Sequence, residues 1–149
     1  MNLDPATLPR LNPALDNCLR TMDAINSGDL SCLPECVTAD FVDHGSPFPI
    51  PPGPEGYAKI LGFVTEVLQI RYTLQDLVQT EDRIVLRATA SGVGTAQFHG
   101  PDAEGRPYSM QTIHIYRTEG DRLAEHWGVR DELGAMRSLG MLPGPAGGR

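Results

Sequence analysis

The chain of 149 residues has no apolar run long enough to span a membrane and no basic segment followed by an apolar stretch at its start. The expectation is a soluble, cytoplasmic protein. Cysteine is scarce: Cys18, Cys32 and Cys36 are an odd number, with no histidine at zinc-like spacing nearby. Cys32 and Cys36 would share a helix face, and the reading is reduced, small apolar side chains in a core. Positive charge is also scarce. Lys59 is the single lysine among 12 basic residues, and the net charge is −7. That balance argues against nucleic acid or an anionic membrane as partner. A Walker A segment, a dinucleotide-binding glycine pattern and a nucleophile elbow are absent. Gly92 and Gly94 lie in a strand pattern, where glycine permits bending rather than cradling phosphate. His44, His99, His114 and His126 are scattered over separate strands and loops, so no metal site is expected.

What is present suits one domain with one core. There is no internal repeat. Residues 1–12 read as a lead-in, 13–142 as the domain and 143–149 as a flexible tail. A first helix is predicted from Pro13 to Ser27, with Leu15, Leu19, Met22 and Ile25 near helical spacing and Gly28 as its stop. A short helix over Leu30 to Val37, a strand over Asp40 to His44 and a third helix over Gly56 to Leu68 follow. Between the last two lie five prolines in Gly45 to Pro54, a stiff loop. Strands are predicted near Arg71 to Gln79, Arg83 to Phe98, Pro107 to Thr118 and Arg122 to Val129, joined by short turns that favour an antiparallel meander. A last helical turn or two begins at Asp131. Helices first and sheet second make an α+β pattern, with a curved sheet able to enclose a pocket.

The segment Asp121 to Asp131 carries the densest information. It holds the only tryptophan, Trp127, as well as His126 and Asp131. Trp127, Val129 and Asp131 share parity, so a straight strand points them to one face. An acid on an apolar face is costly unless paired or used. On that reading Asp131 is a general acid/base whose pKa is raised by burial beside Trp127. The alternative is an N-cap for the helix that follows. His126 points the other way in a straight strand and reads as support, unless a bulge re-aims it.

Several local patterns occur together: Asp40-Phe41-Val42-Asp43-His44, Ile84 to Thr89 leading to Gly94-Thr95, Phe98-His99-Gly100 with Gly105-Arg106-Pro107, Ile113 to Arg117, and Leu123 to Trp127 with Asp131 and Leu139-Gly140. In this order they resemble the SnoaL-like polyketide cyclases of the NTF2-like superfamily, over roughly residues 13 to 142. The resemblance implies an NTF2-like cone, a curved antiparallel sheet wrapped around three N-terminal helices with an internal pocket. It also implies a cofactor-independent enzyme of secondary metabolism that closes a ring by acid/base-catalysed aldol chemistry. The family's catalytic Asp falls on Asp131, and a pocket His falls on His44. Two positions depart from the pattern: Ala96 stands where a histidine is often found, and His114 where an Asp is.

The expected catalytic residues are therefore Asp131, His114 and His44. Trp127, Tyr57, Phe63, Met110, Tyr116 and Arg87 are the expected substrate contacts. For each there is a plain alternative: a core or interface histidine at 114, a loop histidine at 44, an outward Arg87 on a solvated face, packing tyrosines. Epoxide opening or double-bond isomerisation on the same cone, or a non-catalytic binding dimer, are the competing functions. Ile113 and Ile115 lie opposite His114 on their strand, and an exposed isoleucine pair points to a homodimer through the sheet.

Overall fold

The computed structural model describes residues 2–142, so the expected tail at 143–149 lies outside it. The lead-in is tied down. Buried Asn12 donates to the Thr80 carbonyl and to the Thr118 hydroxyl, each at 3.0 Å, and accepts from the Ala14 N–H. Helix α1 (Leu15–Ser27) buries Leu15, Cys18, Met22 and Ile25 on one stripe and stops at Gly28, whose φ of 80° is left-handed. Helix α2 (Leu33–Cys36) is shorter than expected, because the chain is already extended from Val37: strand β1 covers Val37–Asp43. Helix α3 (Gly53–Gly62) starts earlier than predicted and continues into a π-helical turn, Phe63–Val67.

Strands β2 (Arg71–Gln79), β3 (Arg83–Val93), β4 (Pro107–Glu119) and β5 (Arg122–Arg130) follow. The strand predicted to run to Phe98 ends at Val93. Past Val93 the chain turns into a short helix, α4 (Ala96–His99), and helix α5 (Glu132–Ser138) ends the described fold. The sheet order is β1-β5-β4-β3-β2. All pairs are antiparallel except β1 with β5, which run parallel.

Alternation along β4 fixes the two faces of the sheet. Tyr108, Met110, Thr112, His114, Tyr116 and Thr118 point to the helices and are buried, while Ile113 and Ile115 point out. Ile84, Leu86, Ala88 and Ala90 on β3 continue the inner face. Each large apolar side chain buried there contributes about 2 kcal/mol relative to exposure.

A bulge in β5 decides what enters the interior. Arg117 pairs with Glu125, but the next residue, Thr118, pairs with Leu123, so Ala124 is the extra residue. Leu123 and Ala124 are consecutively buried. Beyond Ala124 the parity is reversed: Glu125 and Trp127 face outward, and His126 faces inward opposite Tyr116.

Candidate active site

β1 and β5 bring Asp43 and His126 together across 83 positions of sequence. The arrangement is a chain of hydrogen bonds through the core. The Thr112 hydroxyl donates to the Ala88 carbonyl at 2.9 Å, so its oxygen is free to accept from His114 Nε2–H at 3.1 Å. His114 Nδ1 is then a lone pair, and it accepts from His126 Nε2–H at 2.9 Å. One more proton lies between His126 Nδ1 and Asp43 Oδ1, 2.7 Å apart. The Gly45 N–H also donates to Oδ1, at 2.8 Å.

Burial pushes the Asp43 carboxyl up. The hydrogen bond and charge of His126, the Gly45 N–H and the positive charge of Arg130 outweigh burial and hold it below its ordinary value. Asp43 is thus a carboxylate, and its Oδ1 accepts from His126 Nδ1–H. His114 is pushed down to about 3, first by burial and then by the positive charges of His126 and Arg130. It stays neutral, as its place in the chain requires. Both donors to Asp43 use Oδ1. No donor among the described residues reaches Oδ2.

Asp43, Tyr57, Tyr72, His114, Tyr116 and Arg130 line a cavity of about 30 Å³ inside the cone, room for a water molecule. The hydroxyls of Tyr57 and Tyr116 lie 2.7 Å apart. Burial raises both far above the ordinary phenol value, so both stay protonated. One donates to the other, and the second keeps its hydrogen for the cavity. A larger chamber of about 500 Å³ is lined mainly by apolar side chains, among them Phe48, Phe63, Phe98, Met110 and Leu139. Phe63 meets Phe48 and Phe98 edge-on, with ring centres 5.6 and 5.1 Å apart. The proline loop supplies Phe48 and the π-helical turn supplies Phe63. Another hollow of about 550 Å³, lined by Asn26, Ser27, Glu66, Gln69 and Arg71, contains none of the Asp43–His126–His114 chain. Among the described residues no group of three His, Cys, Asp or Glu side chains is placed to hold a metal ion, and no helix is long and apolar enough to cross a membrane.

The family described as SnoaL-like polyketide cyclase matches residues 16–139. The chain belongs to that family. It is 26% identical over 144 residues to the aklanonic acid methyl ester cyclase DauD of Streptomyces sp. (strain C5), covering 93% of this chain and 89% of DauD. Two solved structures share its fold. TsrD from Streptomyces laurentii is 29% identical with a TM-score of 0.74, covering 94% of this chain and 99% of TsrD. IdmH from Streptomyces antibioticus is 31% identical with a TM-score of 0.73, covering 86% of this chain and 98% of IdmH.

Within this SnoaL-like cone, five of the residues expected from the sequence face the interior. His114, Tyr57 and Tyr116 line the small cavity, and Phe63 and Met110 line the chamber. Four do not. Asp131 is exposed, and its Oδ1 accepts from the Gly134 N–H at 2.9 Å, so it is the N-cap of α5 and not a buried acid beside Trp127. Trp127 lies on the outer face, stacked at 5.0 Å on His44. His44 is exposed there too, with Nε2 2.7 Å from Glu125, which also accepts from Arg117. Arg87 is outward and exposed opposite Ile113. Asp43, His126 and Arg130 lie outside the expected site set; of these, His126 is turned inward by a bulge, the one condition under which the sequence allows it to leave a supporting role. Trp127, Val129 and Asp131 do lie on one side, as their parity predicts, but the bulge at Ala124 turns that set to solvent and its complement inward.

Proposed function

We propose that this member of the family is a cofactor-independent cyclase that closes a ring in a polyketide-like substrate by acid/base chemistry centred on Asp43. One observation carries the reading: a carboxylate with one oxygen held by two donors and the other without a donor among the described residues, in the wall of a cavity that shares Arg130 with an apolar chamber. Oδ2 of Asp43 takes the acidic proton from a carbon flanked by carbonyls. The enolate charge falls near the Arg130 guanidinium and the free tyrosine O–H, both protonated and pre-placed. The carbanion carbon attacks a second carbonyl of the same molecule and forms the carbon–carbon bond, and the new alkoxide takes the proton back from Asp43. His126 and His114 do not touch the substrate in this scheme; they fix the carboxylate in place. The cyclase name carried by DauD supports the reaction class.

Exchange with heavy water tests the first step. Proton NMR of an acyclic β-keto ester in deuterated buffer should show protein-catalysed loss of the α-proton signal, above the buffer rate. Exchange at the buffer rate alone, across a panel of such esters, would sink the reading.

We also propose a homodimer through the outer sheet face. Ile113 pairs with Val129 and Ile115 with Trp127, and all four are exposed as one apolar patch. A second copy of the same face covers it by two-fold symmetry. Sedimentation at micromolar concentration should report twice the chain mass for the wild type and the chain mass for Val129→Asp. A monomeric wild type removes the proposal.

A further inference from the structure

Arg130 is the one side chain, among the described residues, in the wall of both the small cavity and the large chamber. Its nearest carboxylate among the described residues is Glu132, at 3.7 Å, and the Glu132 side chain is 74% exposed. That separation is too long for a hydrogen bond, and so exposed a pair contributes little. The Arg130 side chain itself is only 27% exposed. A guanidinium has five N–H donors in a planar fork that suits an anionic oxygen pair. Here the fork stands in the wall of a chamber lined, apart from the exposed Glu132, by rings and apolar side chains. Its charge is felt at Asp43 and His114, so it belongs electrostatically to the reacting end.

We infer that the chamber takes an amphiphilic ligand, with an apolar body among Phe48, Phe63, Phe98 and Met110 and an anionic oxygen head, carboxylate or ionised enol, on Arg130. This deepens the cyclase reading and rests on it, because it assumes that the chamber holds the reacting molecule. A volume of about 500 Å³ is that of a small-molecule site, enough for a folded chain or a few fused rings. The head sets the direction of entry: body toward the three phenylalanines, acidic end toward Asp43. A carboxylate head at this position would also set the chain apart from DauD, whose named substrate is a methyl ester. The apolar walls make the contact selective. An anion placed there exchanges water for the guanidinium, while a neutral ester of the same shape leaves the fork unmatched.

Isothermal titration of the full chain with four probes tests this: anthraquinone-2-carboxylate, its methyl ester, 2-hydroxy-1,4-naphthoquinone and 1,4-naphthoquinone. The wild type should bind each anion about tenfold more tightly than its neutral counterpart. Arg130→Gln should erase that preference while leaving the neutral compounds bound as before, which also shows that the chamber is folded. Arg130→Lys should keep part of it. A preference for one anion only supports the inference and identifies the head group. Equal binding of charged and neutral probes by the wild type, a preference that survives Arg130→Gln, or no binding of any probe would each overturn it. The measurement contains no turnover, so its failure and a failure of the catalytic reading are separate results.

Discussion

Asp43→Asn should lower cyclisation by about three orders of magnitude, while Asp131→Asn stays within about twofold of wild type. The asparagine at 43 keeps the shape and can still accept from the Gly45 N–H and from His126, so the fold and the chamber survive. What it loses is the ability to take a proton at Oδ2. A positioned general base accounts for two to four orders of magnitude in rate, and the neighbouring imidazoles offer no substitute, because His114 and His126 have both ring nitrogens engaged. Asparagine at 131 remains a good N-cap for α5, so its effect is confined to a helix end. Initial rates and ligand affinity measured side by side decide the matter. If Asp131→Asn fell as far as Asp43→Asn, the reacting carboxylate would lie at the exposed end of β5, and the buried chain would be scaffold.

Acid should unfold the protein through His114 before ordinary carboxylates titrate. The imidazole is buried, faces the charges of His126 and Arg130, and is lowered from 6.5 to about 3, with the Asp43 carboxylate acting weakly the other way. Above pH 6.5 both folded and unfolded chains hold it neutral, and its contribution to stability is complete. Below 6.5 the unfolded chain binds a proton that the folded chain refuses, so stability falls as pH drops toward about 3. Fully expressed, the loss is on the order of 5 kcal/mol, a large share of the roughly 5–15 kcal/mol that stabilises a domain. Asp43 adds to it at lower pH. Its carboxyl is held below the ordinary value in the fold, so the unfolded chain again takes its proton first. Urea titrations at pH 7.5 and 4.5 should show a drop of about 3 kcal/mol for the wild type and a much smaller drop for His114→Gln. The amide is neutral at both pH values and removes the linkage. An identical pH dependence in the two proteins would show that His114 is not the group responsible.

The elements of the fold were largely readable because each rests on local rules. Helix α1 has its apolar stripe and its glycine stop, and β4 has strict alternation that puts His114, Met110 and Tyr116 on one face. The family was readable too, from motifs in order over residues 13 to 142. The face of β5 was not. Trp127 is the largest apolar residue there, and placing it inward is the natural choice for a straight strand. One inserted residue, Ala124, reverses the outcome, and alanine carries no mark of a bulge. From that reversal follow the outward placement of Trp127 and Asp131 and the inward placement of His126 and Arg130. His44 and Asp43 posed the same two-sided choice at the end of β1: the imidazole went to the outer face and the carboxylate to the inner.

The parallel pairing of β1 with β5 joins Asp43 to an imidazole 83 positions further along the sequence. As the chain leaves the ribosome, Asp43 emerges long before His126, and β1 has no partner strand in the sheet until β5 is made. Such long-range closure is slow compared with the hairpin contacts among β2, β3 and β4. The site therefore forms with the last strand to join the sheet, and a nascent or truncated chain that lacks β5 carries a core carboxylate without its proton partner.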